Sequence, residues 1–138
     1  MENFIARFKS FCLCLLIFFS LSLASQENII INASRSTLDR DSNSASFENL
    51  VIEHNNIMIS ALLAQVDSLN FEKNIWTFSG DFRLKNSSFA LSAISGQVEF
   101  NNYSITGAVF NGSPALFNSE STAGIISFGR SNKIEFNQ

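Results

Sequence analysis

A repeat constrains this chain more than any other feature. Ser60-Ala61-Leu62-Leu63-Ala64-Gln65-Val66-Asp67 aligns without a gap to Ser92-Ala93-Ile94-Ser95-Gly96-Gln97-Val98-Glu99. Further on, Phe78-Ser79-Gly80-Asp81-Phe82 matches Ile105-Thr106-Gly107-Ala108-Val109 after a shorter turn. Weaker copies flank this pair. Upstream, Phe47-Glu48-Asn49-Leu50-Val51 takes the place of the Phe-Ser-Gly segment. Downstream the pattern restarts at Ala123 and stops at Ile134-Glu135-Phe136. A unit of roughly 30 residues cannot bury its apolar face alone, whereas stacked copies bury a continuous core.

Within each copy the apolar residues alternate with period two, which is the signature of a half-buried strand. Trp76, Phe78, Phe82 and Leu84 fall on one side of residues 76–84, and Thr77, Ser79, Asp81 and Arg83 on the other. Gly96, Val98 and Phe100 alternate with Gln97 and Glu99, and Ile105, Gly107 and Val109 with Thr106 and Ala108. Residues 60–69 have helical propensity, but their match to the alternating segment 92–99 argues for strand. Turns are expected at Asn55-Asn56, Lys73-Asn74, Asn86-Ser87, Asn101-Asn102, Asn111-Gly112-Ser113-Pro114 and Ser131-Asn132, because Asn and Gly tolerate the left-handed backbone of tight turns. Strands and turns at this spacing predict an all-β sandwich, barrel or solenoid.

The amino terminus reads as an export signal. Arg7 and Lys9 precede an apolar run from Ser10 to Leu23, followed by the small residues Ala24 and Ser25. The expected division is a signal peptide, or a short N-terminal anchor, at residues 1–25 and one β domain at 26–138. Cys12 and Cys14 both fall in the apolar run, so residues 26–138 contain no cysteine for thiol chemistry, zinc fingers or disulfides. With 12 acidic against 9 basic residues the chain lacks the basic face of a nucleic-acid binder.

No catalytic constellation emerges, and no enzyme activity, metal or cofactor is expected. His54 is the one histidine and sits before an Asn-Asn turn. Asp39, Asp41 and Asn43 resemble the start of a calcium loop, but Ser44 stands where that loop needs glycine and Leu50 where it needs glutamate. Asp67 and Glu99 occupy equivalent positions in two repeats and do not read as a carboxylate pair. The fifteen phenylalanines are more telling. In sequence, a ring in a core and a ring lining an open groove look alike.

The pattern Ala-x-x-x-x-Val-acid, a turn, then apolar-x-Gly-x-apolar resembles the OstA-like family of periplasmic lipopolysaccharide-transport proteins, typified by LptA, and is also similar to the related anchored component LptC. Phe110-Asn111-Gly112-Ser113-Pro114-Ala115-Leu116-Phe117 is similar to that family's Gly-x-Pro-Ala-x-Phe element. The resemblance spans about residues 30–136. It implies a repetitive antiparallel β-jellyroll, an open slit-shaped sandwich whose inner face holds the acyl chains of lipid A. It also implies partners: jellyroll domains of the inner-membrane lipopolysaccharide transporter complex and of the outer-membrane translocon. Phe78, Phe82, Val98, Phe100, Ile105 and Val109 carry the apolar phase of the two best repeats and are expected to line that lipid-binding groove. Unpaired edges are expected at Ile30 and Ile134, ready for head-to-tail pairing with a second copy or a related domain. The rival expectation is a secreted structural or adhesive β-solenoid without lipid binding.

Overall fold

The computed structural model describes residues 28–137 apart from Asn70 and Thr122, so the expected signal segment and both cysteines lie outside the described residues. These residues form eight strands and no helix: β1 (Ile30–Asn32), β2 (Arg35–Asp39), β3 (Ser44–His54), β4 (Ile57–Val66), β5 (Lys73–Lys85), β6 (Phe89–Asn101), β7 (Ser104–Glu120) and β8 (Ile126–Asn137). All pair antiparallel in one open sheet of order β1-β3-β4-β5-β6-β7-β8, with β2 also on β3. β1 and β2 share one register along β3, so together they make a single edge interrupted at Ala33 and Ser34. β8 makes the other edge. The segment with helical propensity, residues 60–69, supplies most of β4.

Two tight turns have the geometry that asparagine favours. Asn55 and Asn56 join β3 to β4 at φ 47° and 65°, and Asn102 and Tyr103 join β6 to β7 at φ 47° and 63°. Two consecutive left-handed residues give the turn whose twist matches its flanking strands. The latter turn lies one residue later than the sequence predicts. At the β5–β6 turn, the side-chain oxygen of Asn86 accepts the N–H groups of Ser88 and Phe89, each at 2.8 Å.

Three other expected turns lie elsewhere or are not turns. Lys73 and Asn74 open β5, residues 111–114 run inside β7, and Ser131 and Asn132 run inside β8. The last two segments belong to a line of irregularity that crosses the sheet. The register shifts between Ser60 and Leu63, Ser79 and Phe82, Ser92 and Ser95, and Asn111 and Ala115. Asn49, Gly80 and Asp81 on this line have φ of 48°, 72° and 51°. An extra residue in one strand bends it sharply, and consecutive bulges in register crease the whole sheet. Asn49, Gly80 and Asp81 take the left-handed backbone that a turn also recruits, whereas Asn111, Gly112, Ser131 and Asn132 do not, so turn-type residues there mark irregular strand and not a turn.

The crease folds the sheet over its own apolar face. Phe89 lies opposite Ser119, which lies opposite Ser127 near the start of β8, whereas Phe136 lies near its end. In a flat sheet the two rings would be ~30 Å apart. Their centroids are 6.0 Å apart. The folded face is built of rows running across the strands. One row reads Phe47–Ala64–Phe78–Gly96–Phe110–Ile134. On the far side of the crease another reads Ile52–Ile59–Leu84–Leu91–Phe117. In the first row rings alternate with Ala or Gly, and the small residue makes room for a ring from across the crease. Phe82 fills the place above Gly96, stacked on Phe78 at 4.8 Å and on Phe110 at 4.5 Å, with interplanar angles of 4° and 6°.

This geometry corrects the repeat. The offset that carries Ser60 onto Ser92 also carries Phe78-Ser79-Gly80 onto Phe110-Asn111-Gly112, and the structure puts Phe78 and Phe110 in one row, with Gly80 and Gly112 both on the crease. The match of Phe78-Ser79-Gly80 to Ile105-Thr106-Gly107 is therefore out of register. A Cβ on Gly96 would overlap the Val109 carbonyl oxygen and come within 2.5 Å of the Phe82 ring, whereas one on Gly107 would meet nothing closer than 3.6 Å. Gly96→Ala is expected to cost about 2–3 kcal/mol in denaturant unfolding, the range of an overpacked core. Gly107→Ala is expected to be neutral or slightly stabilising, and equal losses at both sites would refute the ring-over-glycine packing.

Candidate functional site

Five of the six expected groove residues lie in the closed centre of the folded face. Phe78, Phe82, Val98 and Phe100 are fully buried, and Ile105 is nearly so. They join Trp76, whose ring packs on Phe47 at 5.5 Å, Phe71 at 5.1 Å and Phe100 at 6.3 Å. The structure thus brings them together as packed core. The indole N–H of Trp76 is buried among these rings without an acceptor, a cost of about 1–3 kcal/mol.

Val109 departs from the expectation. It is half-buried and pairs with Gln97 on one side and Glu135 on the other, on the face opposite the core. The cause is a second irregularity. Phe100 pairs with Ile105 but Glu99 pairs with Gly107, which leaves Thr106 as an extra residue. The alternation reverses there, so Ile105, Ala108 and Phe110 point inward and Val109 does not. The corrected repeat carries the same information, because its offset places Val109 on exposed Thr77.

The closed centre opens towards the β6–β8 end. Phe89, Phe117, Ile134 and Phe136 pack against the core there but are only half-buried. A cavity of about 680 Å³ lies at the same end. Phe117 and Gly129 contribute to its lining, but most of it comes from the face opposite the core. Ser92, Leu116 and Arg130 form one cross-strand row, and Ala90, Asn118 and Phe128 the next. Phe128 is 85% exposed. Sequence reasoning missed this cavity because its residues come from three strands and read separately as a solvated face.

Ile30 and Ile134, the expected edge residues, sit on the two outermost strands. Ile30 pairs with Glu53 and is exposed, whereas Ile134 pairs with Phe110 and turns its side chain to the core. Lys133 and Glu135 form an ion pair on β8. The calcium-like segment is the β2–β3 turn. Asp39 accepts from the N–H of Asp41 at 3.0 Å, and the Ser42 hydroxyl and the turn's amides hold its carboxyl below the usual 3.8. That stabilising contribution is present above the unfolded pKa and is lost as pH falls through the lowered one. His54 ends β3, buried, with its Nε2 3.0 Å from the side-chain nitrogen of Asn55. Asp67 and Glu99 are both exposed.

No protein-family model matches the chain, and no curated protein matches it. The face assignment has a direct check. Val98→Lys buries an unpaired ammonium and is expected to cost more than about 4 kcal/mol, enough to unfold the domain. Val109→Lys places its charge opposite Glu135 and is expected to change stability by less than about 1 kcal/mol. Thermal unfolding of the two variants reads the difference, and equal damage would put Val109 back among the core residues.

Proposed function

We propose that this chain is a periplasmic lipopolysaccharide-binding bridge component of the OstA-like kind, a slit-shaped β-jellyroll that passes lipopolysaccharide from the inner to the outer membrane. The observation that carries the proposal is an open antiparallel sheet folded over an aromatic-rich face, with an unpaired strand edge at each end. Acyl chains need a dry trough, and the half-buried rings of Phe89, Phe117 and Phe136 offer its mouth. Phe78, Phe82, Val98, Phe100 and Ile105 form the floor reached when the two halves of the sheet part. Partner jellyroll domains pair with β1–β2 or β8 by strand addition. The work is binding and handover, with the energy supplied elsewhere.

One observation favours the rival reading, a structural or adhesive β-solenoid. The centre of the folded face is closed, with rings stacked at van der Waals distance. Lipid capture separates the two. A photo-crosslinking residue at Phe89 or Phe136 is expected to capture lipopolysaccharide in the periplasm, and one at Thr77, on the opposite face, is not. Equal or absent labelling at all three sites would favour the structural reading.

Edge pairing has its own measurement. β1 and β8 carry no proline, since the chain's one proline, Pro114, lies inside β7. A head-to-tail contact of this kind does not close, so sedimentation is expected to show a concentration-dependent ladder. Ile30 and Ile134 give their N–H groups to β3 and β7, so the edge donors are their neighbours: Ile31→Pro and Glu135→Pro each remove an edge N–H and crowd an incoming strand, which should shorten the ladder several-fold while the folded fraction is unchanged. A strict monomer at high concentration that also fails to pair with a partner jellyroll domain would overturn edge assembly.

A further inference from the structure

We propose that the cavity on the face opposite the core binds one fatty acid, its carboxylate on Arg130 and its chain along Leu116 and Phe128. Apart from Phe117 and Gly129 its lining lies on the outer face, and the site does not rest on the lipopolysaccharide reading. The first support is shape. The cavity holds about 680 Å³, within the range of small-molecule sites, and it lies on the face of the sheet, where a strand partner would not dock. The second is its two rows. Leu116 and Phe128 are apolar and exposed, and Ala90 keeps the wall beside them low. Ser92 and Asn118 set a hydroxyl and an amide next to them.

Charge decides the ligand class. Arg35 pairs with Glu48 at 3.1 Å, Arg83 with Asp81 at 2.9 Å, and Lys133 with Glu135. Arg130 has no such partner among the described residues. It shares its row with Arg83, whose charge is already answered, so the cavity has a single open cation at one end. Glu120 lies beyond Asn118, past Phe128, and lines the neighbouring cavity together with Lys85. An anionic head is therefore drawn to the Arg130 end and the chain towards Phe128. One guanidinium matches one carboxylate, with two N–H donors for two oxygens. A bis-phosphorylated head would bring more charge than this cavity answers.

Calorimetry on the signal-free chain with dodecanoate, below its micelle concentration, tests the site. One dodecanoate per chain is expected. Arg130→Gln and Phe128→Ser should each weaken binding about tenfold, with the thermal midpoint unchanged because both side chains are exposed, and dodecyltrimethylammonium should bind at least about tenfold more weakly than dodecanoate. Phe136→Ser, on the inner face, should leave dodecanoate binding intact. Three results would overturn the proposal: no saturable binding, binding indifferent to Arg130→Gln, or binding lost in Phe136→Ser but kept in Phe128→Ser. The last would move the ligand to the inner face. Lipopolysaccharide capture at Phe89 is expected to survive Phe128→Ser, so the two readings fail separately.

Discussion

The stack of Phe78, Phe82 and Phe110 over Gly96 is the contact on which the rest of the architecture depends. Phe82 comes from beyond the crease and the other two rings from before it, so the stack ties the two halves of the sheet together. Each such ring pair adds about 0.5–1.5 kcal/mol beyond the area it buries. The room for it exists because Gly96 carries no side chain on the strand between. The crease serves the same end. Without the left-handed residues at Gly80 and Asp81, Phe82 would continue along a straight β5 and could not turn back over the row it covers.

This arrangement explains what was legible beforehand. Alternation survives in the sequence wherever a strand is straight, which is why Trp76, Phe78, Val98 and Phe100 were placed on one face from the residues alone. It fails where a residue is added. Thr106 reverses the phase between Ile105 and Ala108, and no local signal in Ser104-Ile105-Thr106-Gly107 marks it, since any residue can be the extra one in a wide bulge. The longer-range signal was available: Phe78-Ser79-Gly80 and Phe110-Asn111-Gly112 share the offset that aligns Ser60 with Ser92. A glycine read as a turn marker obscured it. In this sheet Gly112 lies in a strand that continues, and its role is close approach: a Cβ there would come within 2.8 Å of the Ala115 nitrogen and 2.9 Å of the Pro114 carbonyl.

The candidate sites were less legible than the fold, for a different reason. A period-two pattern says which side of a strand a residue takes but not how far the two halves of a sheet stand apart. Phe82 and Phe136 look equivalent in sequence, both aromatic and both inward. Yet Phe82 is fully enclosed, while Phe136 lies at the open end against Phe89. Phe128 shows the converse. Its neighbours Ser127 and Gly129 take the inward side, so the ring is turned out by phase, and only the row formed with Ala90 and Asn118 gives it company.

The ends of the sheet differ physically, and the difference gives the molecule a direction. At the amino-terminal edge β1 and β2 are short, exposed and broken at Ala33 and Ser34, with the Arg35–Glu48 ion pair beside them. Short, interrupted and charged strands are how sheets usually discourage unwanted pairing. β8 is longer and continuous, and its first half carries Ile126 and Phe128 in the open. A partner strand therefore finds more backbone and more apolar surface at β8 than at β1–β2.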